Sequence, residues 1–191
     1  MNVLPFLRPL ALAAALGLSV SGGAAAAEYT SLDAEASSLS FGYSQMNVKM
    51  DGAFSKLSAT ELSFDPAQPD AAKVVIEVPL SSIDAGYAEA NSELEKEEWL
   101  ALNAHPVASF ASKKVEDLGG GQYQVTGDLS IKGNTREITV PFTFKEEGEA
   151  GVFDGSFGFQ RSEFAVGEGE WKDVSIVADE IEIRFHIVAR P

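Results

Sequence analysis

The sequence contains no cysteine and only two histidines, His105 and His186. Without cysteine there is no disulfide, no thiolate metal ligand and no cysteine to which a lipid anchor could be attached. Transition-metal sites usually need three or four clustered ligands, and these two histidines are far apart along the chain. We therefore expect no metal and no catalytic cofactor.

Basic residues are also scarce. The chain has 14 Lys and Arg against 29 Asp and Glu, a formal net charge of −15. Nucleic-acid binding depends on clustered Lys and Arg that neutralise phosphates, so this balance argues against it. The same charge disfavours adhesion to an anionic bilayer, and solubility is the simpler explanation of the acidity.

Long apolar runs are missing as well. The longest, LALAAALGLSV over 10–20, is short of the roughly 20 residues that a membrane-spanning helix needs. Arg8 precedes this run and small residues follow it up to Ala27, the three-part pattern of a secretory signal peptide. The pattern predicts a signal peptide over 1–27, cleavage near Ala27, and a periplasmic single domain over 28–191.

The dominant pattern of that domain is alternation of apolar and polar residues. A period of two places the apolar residues on one face of a β-strand. A polar, solvent-exposed opposite face is typical of antiparallel sheets. The apolar sets are Leu39, Phe41 and Tyr43; Val74, Ile76, Val78 and Leu80; Tyr123, Val125, Leu129 and Ile131; Ile138, Val140, Phe142 and Phe144; Phe153, Phe157 and Phe159; and Ile181, Ile183, Phe185, Ile187 and Ala189.

Two segments interrupt or connect these strands. Residues 87–103 are rich in Glu, Ala and Leu, which predicts one or two short helices inserted between strands. Lys132-Gly133-Asn134 predicts a tight hairpin in which Gly133 and Asn134 supply the positive φ angles. The whole pattern predicts an all-β fold, a closed antiparallel barrel of about eight strands.

A barrel of this size either fills its interior with side chains or holds one small ligand. If it holds a ligand, the inward residues of the alternating sets form the pocket, and an apolar chain is the ligand that they suit. The predicted pocket residues are Phe41, Ile76, Phe142, Phe157, Phe159, Ile183 and Phe185.

Five blocks of sequence resemble the YceI family over nearly all of the predicted domain. The blocks are LSFGYSQMNVKMDGAF (39–54), PLSSIDAG (79–86), WLALNAHPVASFAS (99–112), YQVTGDLSIKGNTREITV (123–140) and QRSEFAVGEGEW (160–171). The fourth block, close to the family's G-D-L-T-I-x-G-x-T hairpin, is the most specific.

The resemblance implies a lipocalin-like barrel in the periplasm that holds a polyisoprenoid or quinone-type lipid and catalyses no reaction. Gln45 and the GEGEW segment are similar to a branch associated with b-type cytochromes, which implies contact with an inner-membrane cytochrome. The family often has His-Leu-Gly where Gln45-Met46-Asn47 stands, so the contacts to a ligand's head group are left open. A monomer and a dimer also remain open.

Three residues are predicted at the pocket rim: Gln45, Arg161 and Trp171. Arg161 continues the inward parity of Phe157 and Phe159, and it either reaches a head group or pairs with a carboxylate such as Glu163. No catalytic residue is predicted, because no nucleophile motif is present and the acidic runs are typical of solvated faces. The alternatives to a lipid carrier are an accessory of quinone electron transfer and a ligand-free stress-response barrel.

Overall fold

The structure, a computed structural model, describes residues 27–191, which form one antiparallel sheet and one α-helix. The predicted signal peptide lies outside these residues except for Ala27, and it stays a prediction. The strands are β1 (Ser31–Leu32), β2 (Ser38–Gln45), β3 (Val48–Phe54), β4 (Ser58–Ser63), β5 (Lys73–Pro79), β6 (Ile83–Asp84), β7 (Val107–Gly119), β8 (Gln122–Ile131), β9 (Asn134–Glu147), β10 (Ala150–Gln160) and β11 (Glu180–Arg190), and the helix is α1 (Ala88–Leu94).

The strands pair in the order β4-β5-β7-β8-β9-β10-β11-β2-β3-β6, and β1 pairs with β11. This confirms the predicted all-β antiparallel fold. Within residues 27–191 no ladder joins the end strands β4 and β6, so the sheet is a curled half-barrel of eleven strands rather than a fully closed barrel of about eight. Two of the eleven, β1 and β6, have two residues each, too short for an alternating pattern to reveal.

The N-terminal strap, residues 29–33, bridges two distant parts of the sheet. Tyr29 forms a bridge with Phe64 just after β4, and β1 pairs with the end of β11. Asp33 accepts a hydrogen bond from Arg190 Nη2 at 2.9 Å. The hydrogen bond with Arg190, followed by that from the Ala36 amide, holds the pKa of the Asp33 carboxyl below its usual range. The strap therefore covers one end of the half-barrel.

The outer face of the sheet carries the polar residues that alternate with the apolar sets. Arg184 on β11 pairs with Asp51 on β3, and His186 Nδ1 lies 2.7 Å from Asp154 Oδ1 on β10. Between β8 and β9 the hydroxyls of Thr126 and Thr139 are 2.9 Å apart. The last two pairs link neighbouring strands across the solvated face, and Arg184–Asp51 spans the intervening strand β2.

The β8–β9 connection is a two-residue turn, since Ile131 pairs directly with Asn134. The positive φ angles belong to Lys132 (48°) and Gly133 (74°), so the predicted assignment to Asn134 is wrong by one position. Asn134 instead begins β9, and its side-chain amide donates to the carbonyls of Lys132 and Phe164. Two residues at positive φ match the twist that joins adjacent antiparallel strands.

Glycine inside the strands allows aromatic rings to lie against the backbone. A Cβ atom at Gly155 would lie 2.4 Å from the Phe185 ring and 2.6 Å from the Pro141 carbonyl oxygen. The ring of Phe185 therefore covers the backbone of β10, and the chain must lack a side chain there.

The predicted helical insertion is one short α-helix, α1, followed by turns up to 104. Asn91 of this helix accepts a hydrogen bond from the Ala85 amide at 2.7 Å and donates to Asp84 at 3.1 Å. After the helix the buried side chains of Trp99 and Leu100 pack into the apolar core. The insertion is thus attached to the sheet at both of its ends.

Candidate functional site

The half-barrel encloses a cavity of about 580 Å³ whose wall is formed almost entirely by apolar side chains. Its volume falls within the range usual for small-molecule sites. All ten residues predicted for the pocket and its rim lie on this wall: Phe41, Ile76, Phe142, Phe157, Phe159, Ile183, Phe185, Gln45, Arg161 and Trp171. Their contact with a ligand stays a prediction.

One end of the cavity is closed by a cluster of rings, which we call the aromatic plug. Phe64, 2 % exposed, lies at its centre, with ring centroids 4.9 Å from Phe144 and 5.0 Å from Phe153. The plug consists of Tyr29, Phe64, Tyr123, Phe142, Phe144 and Phe153. Because Tyr29 belongs to the N-terminal strap, the strap and the plug close the same end.

The cavity is elongated along the strands. Alternate residues of β11 from Ile181 to Ile187 all line it, and the six steps between these two residues of an antiparallel strand extend over about 20 Å. Phe185 lies within this stretch, and its ring covers the backbone at Gly155 on the neighbouring strand β10. An apolar cavity of this length fits an extended chain better than a compact polar molecule.

The opposite end is the mouth, where the wall reaches the exposed Glu89 of α1 and the half-buried Trp171 of the 161–179 segment. Tyr87 donates its hydroxyl proton to Gln45 Oε1 at 2.8 Å. Trp171 Nε1 donates to Glu93 Oε1 at 3.2 Å. Glu93 also binds Lys96, and this hydrogen bond raises the pKa of the Lys96 ammonium. Polar groups at the mouth are therefore paired with one another across the gap between α1 and its neighbours.

Arg161 is 1 % exposed, and each of its five N–H groups donates to a backbone carbonyl. Nε binds Ala178 at 3.1 Å; Nη1 binds Val166 and Gly167 at 2.8 and 3.1 Å; Nη2 binds Trp171 and Val177 at 2.7 and 2.8 Å. Burial lowers the pKa of the guanidinium, and nearby Asp179 partly opposes this.

These bonds identify the role of Arg161 more sharply than the sequence could. The side chain makes no ion pair with Glu163, and all its donors are occupied, so none is free for a ligand head group. It instead gathers the 161–179 segment into one wall of the mouth. Lys132 supports the same wall by donating to the Ala165 carbonyl at 2.6 Å.

Trp99 lies behind this wall, 7 % exposed and on the cavity surface. Its ring packs against Trp171 at 5.4 Å between centroids and beneath the Arg161 guanidinium, whose Cζ lies 5.4 Å away. Its Nε1 is the one buried side-chain nitrogen or oxygen in residues 27–191 without a hydrogen-bond partner. Both tryptophans thus pack against each other at the mouth.

The charged side chains that line the cavity are Glu89, Glu93 and Arg161, all at the mouth. His186 is on the outer face beside Asp154, and Glu95, Glu97 and Glu98 are exposed. No group of three or more His, Asp or Glu in residues 27–191 is placed to hold a metal ion. None of the helices in this part of the chain is both long and apolar enough to cross a membrane.

The sequence missed several wall residues for two different reasons. Tyr43, Val125 and Leu129 belong to the recognised alternating sets, so strand parity could have identified them. Tyr87 and Glu93 lie on the helical insertion, whose position over the mouth depends on contacts between remote segments. No local signal could have revealed these two.

Fold and cavity together define an antiparallel half-barrel with an internal apolar site, closed at one end and lined by aromatic rings. A profile of the YceI-like domain matches residues 30–189, and the chain belongs to the YceI-like family. The predicted resemblance is confirmed.

Relatives of known sequence include UPF0312 proteins of two bacterial genera. The protein of Vibrio cholerae is 34 % identical over 114 residues, 60 % of this chain, and the match spans 57 % of the relative's length. That of Pseudomonas syringae pv. tomato is 32 % identical over 142 residues, 73 % of each chain.

Two solved structures share the fold. BcnA of Burkholderia cenocepacia is 41 % identical, with a TM-score of 0.79 over 83 % of this chain and 99 % of its own. A polyisoprenoid-binding domain from Saccharophagus degradans is 16 % identical, with a TM-score of 0.68 over 85 % of this chain and 98 % of its own. At that identity the likeness shows the fold alone.

Proposed function

We propose that this protein is a periplasmic carrier that holds one long isoprenoid lipid, of polyprenyl or quinone type, in the half-barrel and performs no chemistry on it. The observation that carries the proposal is the apolar cavity of about 580 Å³, closed by the aromatic plug and open at the mouth. The binding activity named for the Saccharophagus degradans domain supports the same ligand class. Contact with a b-type cytochrome stays a prediction.

The energetics of the cavity favour a chain of methylene and methyl groups. Each buried methylene contributes about 0.8 kcal/mol, so ten give about 8 kcal/mol before the cost of ordering the chain. That gross value corresponds to about micromolar affinity without any charged contact. The cavity needs no ionic partner to hold such a ligand.

The test is organic extraction of protein purified from its native host, followed by mass spectrometry of the extract. Wild-type protein should yield about one isoprenoid lipid per chain. Absorbance of the extract separates a quinone head group from a polyprenol. An extract without chain lipid would overturn the carrier proposal.

A cavity-filling substitution locates the lipid. Phe159→Trp places a larger ring at the cavity wall, so the fold should persist while the extracted lipid falls. Phe144→Trp is the control: Phe144 lies in the packed plug, where an oversized ring typically costs about 1–3 kcal/mol, and the lipid content should be unchanged. Unchanged lipid in Phe159→Trp would mean that the chain lies elsewhere.

A further inference from the structure

Exposed apolar side chains of this protein are concentrated around the mouth. Residues 27–191 contain six exposed large hydrophobic residues, of which four form what we call the mouth rim. The mouth rim consists of Met46, Val48, Tyr87 and Val174, with exposures of 68, 59, 37 and 53 %. Such residues occurring singly need no explanation, but their grouping at one opening does.

Hydrogen bonds hold the members of the rim together. The Met46 amide donates to the Ile176 carbonyl at 2.8 Å, which joins the β2–β3 turn to the segment containing Val174. Tyr87 donates to Gln45, the neighbour of Met46. Gln45 and Tyr87 also line the cavity, so the rim continues into the apolar interior.

The turn that displays Met46 does not favour methionine. Met46 and Asn47 have φ angles of 49° and 64°, the left-handed region that suits Asn or Gly and strains other residues. Backbone geometry therefore gives no reason for a large apolar side chain at this tip. Its exposure is better explained by contact with an apolar phase.

The charges beside the rim indicate what kind of surface it meets. Lys49 follows Val48 and Asp173 precedes Val174. Near Tyr87 the wall of the mouth carries Glu89, which is exposed, and Glu93, which pairs with Lys96. Lys49 and Lys96 thus offset Asp173 and Glu93 and leave Glu89, a small share of the net charge of −15 on the whole chain. A surface of low net charge suits the rim, whereas an anionic surface would be repelled by the rest of the molecule.

We propose that the mouth rim docks on a zwitterionic lipid bilayer, so that an apolar chain passes directly between the bilayer and the cavity. This inference rests on the proposed carrier function, because a chain lipid is stable in an apolar phase and is released into water only at a cost. Docking places the open end of the cavity against its lipid source. Met46, Val48 and Val174 would enter the interface while the acidic outer face stays in solution.

The experiment measures transfer of a radiolabelled polyprenol from phosphatidylcholine vesicles to lipid-free protein. Docking predicts a transfer rate that rises in proportion to vesicle concentration. Passage of the polyprenol through water predicts a rate that does not depend on vesicle concentration. The variant Met46→Asn/Val48→Thr/Val174→Ser should transfer at least about tenfold more slowly, because apolar contact area is lost. Leu118→Ser is the matched control: Leu118 is 57 % exposed but adjoins the turn that packs near the aromatic plug, and it should transfer at the wild-type rate.

Loading from detergent separates this proposal from the carrier function. Wild type and the rim variant should take up equal polyprenol from detergent micelles, since the cavity is unaltered. Failure of wild type to load from detergent would defeat the carrier function itself. Equal vesicle rates for wild type and rim variant, faster transfer from vesicles containing phosphatidylglycerol, or detergent loading without vesicle transfer would each overturn bilayer docking, the last in favour of a protein donor.

Discussion

Replacing Arg161 by Met should destabilise the protein strongly and open the mouth. The substitution keeps much of the side-chain volume but removes five donors from the carbonyls of 166–178. Hydrogen bonds of charged groups contribute about 1.5–3 kcal/mol each, but they are not additive where a segment can relax toward water. We therefore expect a loss of about 3–5 kcal/mol in the free energy of unfolding.

For a domain of this size that loss lowers Tm by about 6–20 °C. The Tm of Arg161→Lys should lie between those of wild type and Arg161→Met, because an ammonium keeps the charge but offers three donors instead of five. Arg136→Met is the control, since Arg136 is exposed and its side chain binds the carbonyl of neighbouring Thr135. Thermal melting by circular dichroism measures all three.

Limited proteolysis gives a second readout that is specific to the mouth. In Arg161→Met the segment 161–179 should be cleaved well before the strands, while Arg136→Met should resist like wild type. If Arg161→Met melts within about 2 °C of wild type and resists cleavage, the guanidinium does not organise this wall, and our account of Arg161 fails.

Two further predictions concern conditions rather than the cavity. Chelation with EDTA should change neither Tm nor extracted lipid, and a fall of several degrees would reveal a carboxylate metal site. Acidification should loosen the N-terminal strap, because the folded-state pKa of Asp33 is lowered. The stability that this carboxylate contributes is fully present above its unfolded-state pKa and is lost as pH falls through its folded-state pKa. Hydrogen exchange should therefore show reduced protection of the strap amides in Asp33→Asn at neutral pH, and unchanged protection would contradict this account.

Strand parity made much of the cavity predictable. Phe157, Phe159, Ile183 and Phe185 follow a period of two, and the same period that places them on one strand face turns them toward the interior. The family motifs added the ligand class, which parity alone does not contain. The local pattern was thus sufficient to predict the inward-facing residues wherever a strand is long and one of its faces is exposed to solvent.

The mouth was less predictable because its geometry depends on contacts between remote segments. Arg161 could be placed at the rim, but its five carbonyl partners come from an irregular segment that contains only a short 3-10 helix, Gly169–Lys172. The bond from Tyr87 to Gln45 joins residues 42 positions apart. The sequence also did not predict that the sheet is open, because whether its end strands pair depends on the arrangement of all the strands.

The pairing of β2 with β11 determines when the cavity can exist during the life of the chain. Phe41 faces Ile183 across this ladder, so β2 cannot pair with β11 until the end of the chain has been synthesised. Until then β2 and β3 form a two-stranded hairpin, which is marginal in water. Non-local pairing of this kind slows folding. A nascent chain therefore remains unfolded and can pass through a narrow translocation pore, as the predicted export route requires. The proposed lipid could then bind only after synthesis of the polypeptide is complete.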